Sequence, residues 1–496
     1  MNLTENSKWA GAFTVQDNRR VYGELTLCGA DTSLYLQSDE EFNPHGMPGQ
    51  HIAGVLHDLT RISLFECVTT EGTGYARQGE EAYHYATVLP GFVVYGGRHL
   101  APDEKTILEA RFVVDDASQL FYDFDAFGTL LDARPFIEKI VSANALPRTI
   151  EVGPHPEIQY FTGKTEIFSA DTDLGRISAS HSPASSLGGP DGVYLKNTIF
   201  VSIAFAEPLT FEESIVRTST LLGYLGILAG RPQNILRLSL RVQSDEPGSA
   251  FLNVYWSMRP QRDPSHESER PHPSDVLLDA ARHPLEFSRV LTNWLRRSPE
   301  WREARLRFLG CFAKGRRYGI DRLVAAANMF DILPDSAVPP DVCLSDELKA
   351  AKDSANTIFR SLPQSAERDS VLGALGRMGR SSLKHKIRHR TRSVVDAVGV
   401  RFPDLVTVTD AAVDCRNHYV HGGDASFAYG RAPDMLPFFV DALEFVFAAS
   451  DLIEAGWDAN AWSIVPTTMT HPFSRFRVGY IARLQQLKNL LKPSGG

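Results

Sequence analysis

The sequence predicts an α+β multidomain protein with a β-rich N-terminal half and an all-α helical bundle in its C-terminal part. Three observations predict this. Up to about residue 257, short runs alternate apolar and polar side chains as half-buried strands do, and turn residues interrupt them. From about residue 278, apolar residues recur at helical spacing. Between these regions, the proline-rich segment 258–277 is typical of a linker.

The β-rich half divides by pattern into two predicted modules. Module 1–150 is expected to be sandwich- or barrel-like, because turn residues separate its strand candidates at short spacing. Module 151–257 is mixed, with a helix that should begin at the capping box of Thr210 and Glu213 and end at Gly230. The strand candidates are 20–27, 32–36, 61–65, 83–95, 107–114, 198–205, 235–242 and 251–256.

The third predicted domain, 278–496, is the helical bundle. Ser298 followed by Pro299 predicts a helix start with the serine as cap. Segment 437–455 is so apolar that it is expected at the centre of the core. Further helices are predicted from residue 345 to 359, over 405–419, and in a tail that includes Tyr480 and Leu491.

Composition limits the classes of function. The net charge is −9, so any nucleic-acid site must be a local basic patch. Five cysteines are scattered without a CxxC pair, which argues against a disulfide framework and a zinc ribbon. The N-terminus lacks a basic segment followed by an apolar one, and no window of about 20 apolar residues exists. We expect a cytoplasmic protein with no membrane partner and no cofactor.

The candidate catalytic residues are Arg416, Asn417 and His421, and Gly422 follows at once. On a regular helix the arginine and the histidine are about 140° apart, whereas Asn417 and His421 share a face. A single helix is therefore expected to present a poor composite site. Two copies meeting at a two-fold axis would bring the pairs together.

These residue types suit cleavage of RNA without a metal. RNA carries a 2′-OH that attacks the adjacent phosphorus once it is deprotonated. His421 would act as general base or general acid. Arg416 would hold the phosphate, and Asn417 would bind the phosphate or orient the histidine. The neighbours His418 and Cys415 are better explained by packing or surface roles than by catalysis.

A basic stretch, Arg377 to Arg392, lies just upstream. It holds seven positive residues in sixteen and no acid, namely Arg377, Arg380, Lys384, Lys386, Arg388, Arg390 and Arg392. Contact with an RNA backbone and an ordinary solvated helix face both remain open. His385 and His389 have a spacing that suits zinc, but no cysteine or acidic pair accompanies them, so no metal is expected.

An all-α domain with Arg416, Asn417 and His421 late in it resembles the HEPN (higher eukaryotes and prokaryotes nucleotide-binding) superfamily, whose active members are metal-independent endoribonucleases. The β-rich half joined to such a domain is similar to the ApeA-type anti-phage defence proteins. The resemblance implies a homodimer with the three residues of each copy facing a shared cleft. It also implies abortive infection: cleavage of host RNA, with tRNA as a candidate target, under a phage-derived activator or inhibitor.

Further expectations follow from the resemblance. Some HEPN toxins carry, two residues past the histidine, a tyrosine that a nucleotidyltransferase antitoxin modifies. That position is Gly423 here, so no such partner is expected. Apart from the resemblance, we hypothesise that the N-terminal half, a large module without a catalytic motif of its own, restrains or gates the nuclease, because an unrestrained ribonuclease would kill its host. A dimer of dimers could use the C-terminal helix as a contact. Two rival hypotheses remain: a non-catalytic HEPN protein that binds RNA or nucleotides as a scaffold, and a purely structural oligomerisation protein.

Overall fold

The computed structural model describes residues 3–15, 19–42, 50–70, 74–78, 81–143, 149–186, 188–244, 250–258, 270–340, 344–422 and 425–491. Most of the predicted linker 258–277 lies outside these residues, as does Gly423. The chain forms two compact units, Met1–Leu295 and Arg296–Gly496. The predicted fold class is confirmed: the first unit is β-rich and the second is helical.

The first unit is built on antiparallel strands. The strands are β1 (Ser7–Val15), β2 (Arg19–Leu27), β3 (Ser33–Ser38), β4 (Gln50–Leu56), β5 (Arg61–Thr69), β6 (Gly74–Gln78), β7 (Glu81–Leu89), β8 (Phe92–Gly96), β9 (Ile107–Val114), β10 (Phe127–Leu131), β11 (Glu157–Phe161), β12 (Glu166–Thr172), β13 (Gly175–Ser185), β14 (Leu195–Leu209), β15 (Ile235–Val242) and β16 (Phe251–Trp256). Its helices are α1 (Ala117–Leu120), α2 (Arg134–Ala143), α3 (Phe211–Ala229) and, at its end, α4 (Pro284–Arg296).

Six strands close into a barrel in the order β5-β4-β1-β2-β3-β7. The closing contact pairs the end of β5 with β7, where Val68 lies opposite Leu89. Alternate residues point inward and are buried, as the period of a strand requires. Phe13, Leu25 and Ile62 belong to this core. The barrel-like prediction for the start of the chain is therefore confirmed.

The sheet also continues outward from β5 through β8, β16, β15, β9, β14, β13 and β12. The predicted division at residue 150 does not appear in it, because β9 from the first predicted module lies between β14 and β15 of the second. Helix α3 begins at the predicted capping box, since Thr210 and Glu213 exchange both hydrogen bonds. It ends, as predicted, at Gly230, whose φ of +77° favours glycine.

The boundary between the two units differs from the predicted one at residue 278. Helix α4 belongs to the first unit because its aromatic side chains pack there: Phe287 lies 4.8 Å from Phe168 between ring centroids, and Trp294 lies 5.2 Å from Tyr224. The last residues of the predicted linker are also packed, and Leu277 is buried. Helical periodicity identifies a helix but does not reveal which core receives its apolar face.

The second unit is a helical bundle around one buried helix. Its helices are α5 (Ser298–Phe312), α6 (Ile320–Asn328), α7 (Asp346–Ser361), α8 (Ala366–Arg377), α9 (Leu383–Val398), α10 (Leu405–His421), α11 (Met435–Ala455), α12 (Ala459–Ile464) and α13 (Pro472–Leu491). Helix α11 is buried along almost its whole length, which confirms the prediction for 437–455. Ser298 is not the cap of α5: Arg297 occupies that position, and the Ser298 hydroxyl accepts a hydrogen bond from Arg305 instead.

Candidate active site

Helix α10 carries the motif at its exposed C-terminal end. The earlier part of the helix is anchored by buried side chains, among them Leu405, Val408 and Ala412. The helix ends at His421 because Gly422 adopts φ +69°, a left-handed conformation that few other residues accept. Its N–H bonds the carbonyl of His418. The motif therefore lies where a rigid, buried helix reaches solvent.

Arg416, Asn417 and His421 come together within one chain. The Arg416 Nη1 atom donates to Asn417 Oδ1 at 3.0 Å and lies 3.2 Å from His421 Nε2. The expectation that one helix presents a poor composite site was thus wrong. The angle of about 140° applies to the directions of the Cα–Cβ bonds. The long arginine side chain turns along the helix surface and meets the imidazole one turn later.

A guanidinium has no lone pair, so it can only donate to a ring nitrogen. The 3.2 Å contact between Arg416 Nη1 and His421 Nε2 is therefore a hydrogen bond only in the tautomer that carries its proton on Nδ1. In that tautomer, Nε2 holds the lone pair that a general base needs, and the guanidinium of Arg416 occupies it.

Asn328 is a fourth member of the site, and sequence reasoning missed it. It is the last residue of α6, and its Oδ1 atom accepts a hydrogen bond of 2.9 Å from Arg416 Nη2. The two residues are 88 positions apart in the chain. The available signal was weak: a lone amide ends a run of three alanines, of which Ala326 and Ala327 are fully buried.

Helix α9 runs antiparallel to α10 and brings the basic stretch beside it. Lys384 pairs with Asp414 at 2.9 Å, and Arg388 pairs with Asp410 at 2.7 Å. Because the residue numbers rise on one helix and fall on the other, the N-terminal end of α9 lies beside the C-terminal end of α10. Lys384, near the start of α9, therefore lies beside the turn of α10 that precedes Arg416.

The seven basic residues differ in burial and in their contacts. Arg390 is only 1% exposed and forms an ion pair with Glu454 and a hydrogen bond of 3.0 Å with Ser450, so its prediction as an RNA contact is wrong. Lys386 donates to the carbonyl of Asp331 at 2.9 Å. Like Lys384 and Arg388, it therefore has an acidic residue as neighbour. Those that remain exposed are Arg377, Arg380 and Arg392.

The two neighbours of the motif have packing roles. Cys415 is buried, and burial raises the pKa of its thiol to about 12, which rules out a reactive thiolate at neutral pH. The ring of His418 contacts Tyr429 with 5.3 Å between the centroids, and Tyr419 lies 5.9 Å from the same tyrosine. This aromatic cluster holds the last turn of α10 in place.

The described residues also bear on metal binding and on membrane insertion. In the ranges that the structure describes, no group of three or more His, Cys, Asp or Glu side chains is arranged to hold a metal ion. Within the same ranges, no helix is both long and apolar enough to cross a membrane.

The helical unit places the chain among the HEPN-domain proteins, because a family model for such a domain matches it. A family model described as ApeA N-terminal domain 1 matches residues 8–294, and one described as Apea-like HEPN matches residues 324–461. The first match covers more than half of the chain, so the protein belongs to the ApeA family, as the resemblance predicted. Comparison with curated proteins and with solved structures gave no match.

Membership of the ApeA family indicates a general class of function. HEPN domains are generally ribonucleases that bind RNA and oligomerise, and the ApeA family points to an RNase-type role in defence. The HEPN match includes α10 and the end of α6, so all four residues of the candidate site lie within it.

Proposed function

We propose that this protein is a metal-independent endoribonuclease of anti-phage defence that cleaves host RNA, with tRNA as the target, in the cytoplasm. One observation carries the proposal: the guanidinium of Arg416 joins the imidazole of His421 and the amide of Asn417 at the exposed end of one helix. A fixed positive charge, a polar positioning group and a group that transfers protons are what phosphodiester transesterification needs.

The reaction would proceed by attack of the ribose 2′-oxygen on the adjacent phosphorus. A phosphate that binds Arg416 competes with His421 for the guanidinium and so uncovers the Nε2 lone pair. Nε2 then takes the proton of the 2′-OH while Arg416 stabilises the charge that builds on the phosphate oxygens. The bond from phosphorus to the 5′-oxygen breaks, and the 5′-oxygen receives a proton. The products are a 2′,3′-cyclic phosphate and a 5′-OH.

The proton that the leaving oxygen receives argues for a second copy of the chain. One imidazole that takes a proton does not supply another in the same step. Two HEPN domains that meet across a two-fold axis would offer two His421 side chains, one as base and one as acid. We therefore propose a homodimer as the smallest active form. A dimer of dimers is compatible with the exposed Val478 and Ile481 on α13.

The exposed basic residues would guide the RNA to this cleft. Arg377 ends α8, and Arg380 lies between α8 and α9. Arg392 lies further along α9. An exposed arginine without an acidic partner adds to a local positive potential that attracts the phosphate backbone even when the whole protein is acidic.

The test is incubation of the purified protein with tRNA in EDTA, with His421→Ala as the variant and His155→Ala as its control. His155 is also an exposed histidine, but it lies outside both the motif and the basic stretch. Cleavage should persist in EDTA and in the control and be lost in His421→Ala. A 2′-deoxy substitution at the cleavage site should block the reaction.

A non-catalytic scaffold gives a different result in the same assay. Wild-type protein that binds tRNA without cutting it supports the scaffold, and protein that neither binds nor cuts at low salt supports a structural oligomer. The defence role is tested separately by phage infection of cells that produce each variant. Protection that survives His421→Ala contradicts a ribonuclease mechanism of defence, including one released by a phage-derived activator.

A further inference from the structure

We propose that Asn328 is a positioning residue of the active site, which aims the guanidinium of Arg416 at the phosphate. This inference rests on the proposed function and adds a residue to its machinery. Asn328 comes from α6 and Arg416 from α10, so their hydrogen bond of 2.9 Å joins two helices that approach each other in the folded bundle.

The hydrogen bonds of Arg416 show why the amide matters. A guanidinium has five N–H groups in a rigid plane. The two N–H groups of Nη1 point toward Asn417 and His421. Nε is buried and has no hydrogen-bond partner among the described residues. One N–H group of Nη2 donates a hydrogen bond to Asn328. The other N–H group of Nη2 has no hydrogen-bond partner in the described part of the chain.

The remaining Nη2 hydrogen is therefore the donor that can meet a phosphate before any internal bond is broken. Because the guanidinium is planar, the bond that Asn328 accepts fixes the direction of this second hydrogen. Without the amide, the plane would be held only through Nη1. The contact between Nη1 and His421 is also the one that a phosphate must displace, so the bond from Nη1 to Asn417 alone would then hold the guanidinium during the reaction.

The chemistry of asparagine fits this role. Its carbonyl oxygen accepts from the arginine without neutralising it, so the positive charge stays available for the phosphate. A carboxylate at the same position would form an ion pair with Arg416 and compete with the substrate. The backbone of Asn328 is fixed by its neighbours, because Ala326, Ala327 and Met329 are fully buried.

The experiment compares Asn328→Ala with Asn356→Ala in the full-length protein. Asn356 is a matched control: it is half-buried like Asn328 and lies in helix α7. We expect Asn328→Ala to lower kcat/KM for tRNA by roughly tenfold to a hundredfold, through both KM and kcat, since the arginine binds the phosphate in the complex and also stabilises charge that develops in the transition state. Asn356→Ala should match the wild type, and thermal melts should show that both variants fold.

A double-mutant cycle separates positioning from a structural effect. The probe is a 2′-O-methylated RNA oligonucleotide, which cannot be cleaved. Asn328→Ala should weaken binding of this RNA when Arg416 is present and cause no further loss in an Arg416→Ala background. An equal loss in both backgrounds, or no loss in either, overturns the inference.

The result also separates this inference from the proposed function. Coupling between Asn328 and Arg416 in binding, without cleavage by the wild type, keeps the positioning role and rejects the nuclease. Cleavage without coupling keeps the nuclease and rejects the role of Asn328. A wild-type protein that neither cleaves nor binds RNA rejects both.

Discussion

Arg416 is the residue on which the site depends, because it contacts all three of the other members. Its side chain joins Asn417 and His421 on its own helix to Asn328 on α6. The geometry uses the number and the plane of the guanidinium hydrogens as well as the positive charge. A residue with the same charge but another shape is therefore not equivalent.

Arg416→Lys should lower kcat for RNA cleavage by roughly a hundredfold to a thousandfold. An ammonium keeps the charge but cannot hold three acceptors in one plane while it also binds a phosphate. The measurement is single-turnover cleavage of tRNA. Arg302→Lys, at an exposed position of α5, serves as control and should leave kcat unchanged. A lysine variant with wild-type kcat would mean that charge alone is enough.

At the scale of elements, α11 and α9 stabilise the bundle with polar groups that are half-buried or buried. On α11, Asp441 accepts a hydrogen bond of 2.9 Å from the hydroxyl of Tyr318. On α9, Arg390 lies over the ring of Trp301 with its guanidinium 5.0 Å from the centroid. Both helices border α10, so these contacts support the motif without touching it.

Asp441→Asn should stabilise the protein at neutral pH. Desolvation raises the pKa of the Asp441 carboxyl from 3.8 to about 6. The folded protein therefore binds this proton more tightly than the unfolded chain does, and the free energy of unfolding falls as the pH rises from about 4 to about 6. An asparagine still accepts from Tyr318 and has no such proton. We expect a gain of about 1–3 kcal/mol above pH 7 and none below pH 4.

The measurement for Asp441 is urea unfolding at pH 4, 6 and 8. Asp396→Asn is the control, because Asp396 is exposed on α9. The control should follow the wild-type dependence on pH. Equal gains for Asp441→Asn at all three values would show that its effect is not electrostatic.

Arg390→Ala and Arg380→Ala should have opposite effects on stability and RNA binding. When the buried Arg390 is removed, Glu454 keeps Arg297 as an ion-pair partner but loses Arg390. The free energy of unfolding should fall by about 1–3 kcal/mol. Removing the exposed Arg380 should leave stability unchanged and weaken RNA binding, with the slope of log K against log salt smaller by about 0.7. Thermal melts and a salt titration of binding measure the two effects. Weakened RNA binding by a stably folded Arg390→Ala protein would contradict the assignment.

At the scale of the whole molecule, each unit has its own core and the candidate site belongs to the second. The barrel core of the first unit and the buried helix α11 of the second are separate sets of apolar residues. The candidate site lies wholly within Arg296–Gly496. Catalysis is therefore expected to depend on how copies of the helical unit associate and on whether the β-rich unit restrains them.

The specific activity should fall when the protein is diluted below the dissociation constant of its dimer. The physical reason is that two imidazoles can deprotonate the attacking hydroxyl and protonate the leaving oxygen in the same step, whereas one imidazole would have to do both in turn. Sedimentation velocity and cleavage rates over the same range of concentrations measure this dependence. Activity per chain that stays constant through dissociation would show that one copy is sufficient.

Residues 296–496 alone should cleave tRNA faster than the full-length chain in the absence of phage. The expectation follows from the hypothesis that the β-rich unit restrains the nuclease. The compactness of the helical unit makes the comparison feasible. The two proteins would be compared in initial rates at equal dimer concentration, with His421→Ala of the shorter chain as background. Equal rates would remove the restraint hypothesis.

The sequence by itself determined the local features of this protein. Alternating patterns predicted β2, β9 and β15, the capping box predicted α3, and the apolar run of 437–455 predicted the central helix. Arg416, Asn417 and His421 were also found from sequence. Each of these signals lies within about twenty neighbouring residues, where periodicity and capping chemistry act directly on the backbone.

Only the tertiary structure decided which distant residues meet. The closing pair of the barrel, the place of β9 between β14 and β15, the burial of Arg390 and the contact of Asn328 with Arg416 all join segments far apart in the chain. Basic residues on α9 look alike in sequence, yet their burial depends on the face that each turns toward α10 and α11. Packing between helices and pairing between strands select these contacts, and local pattern does not encode them.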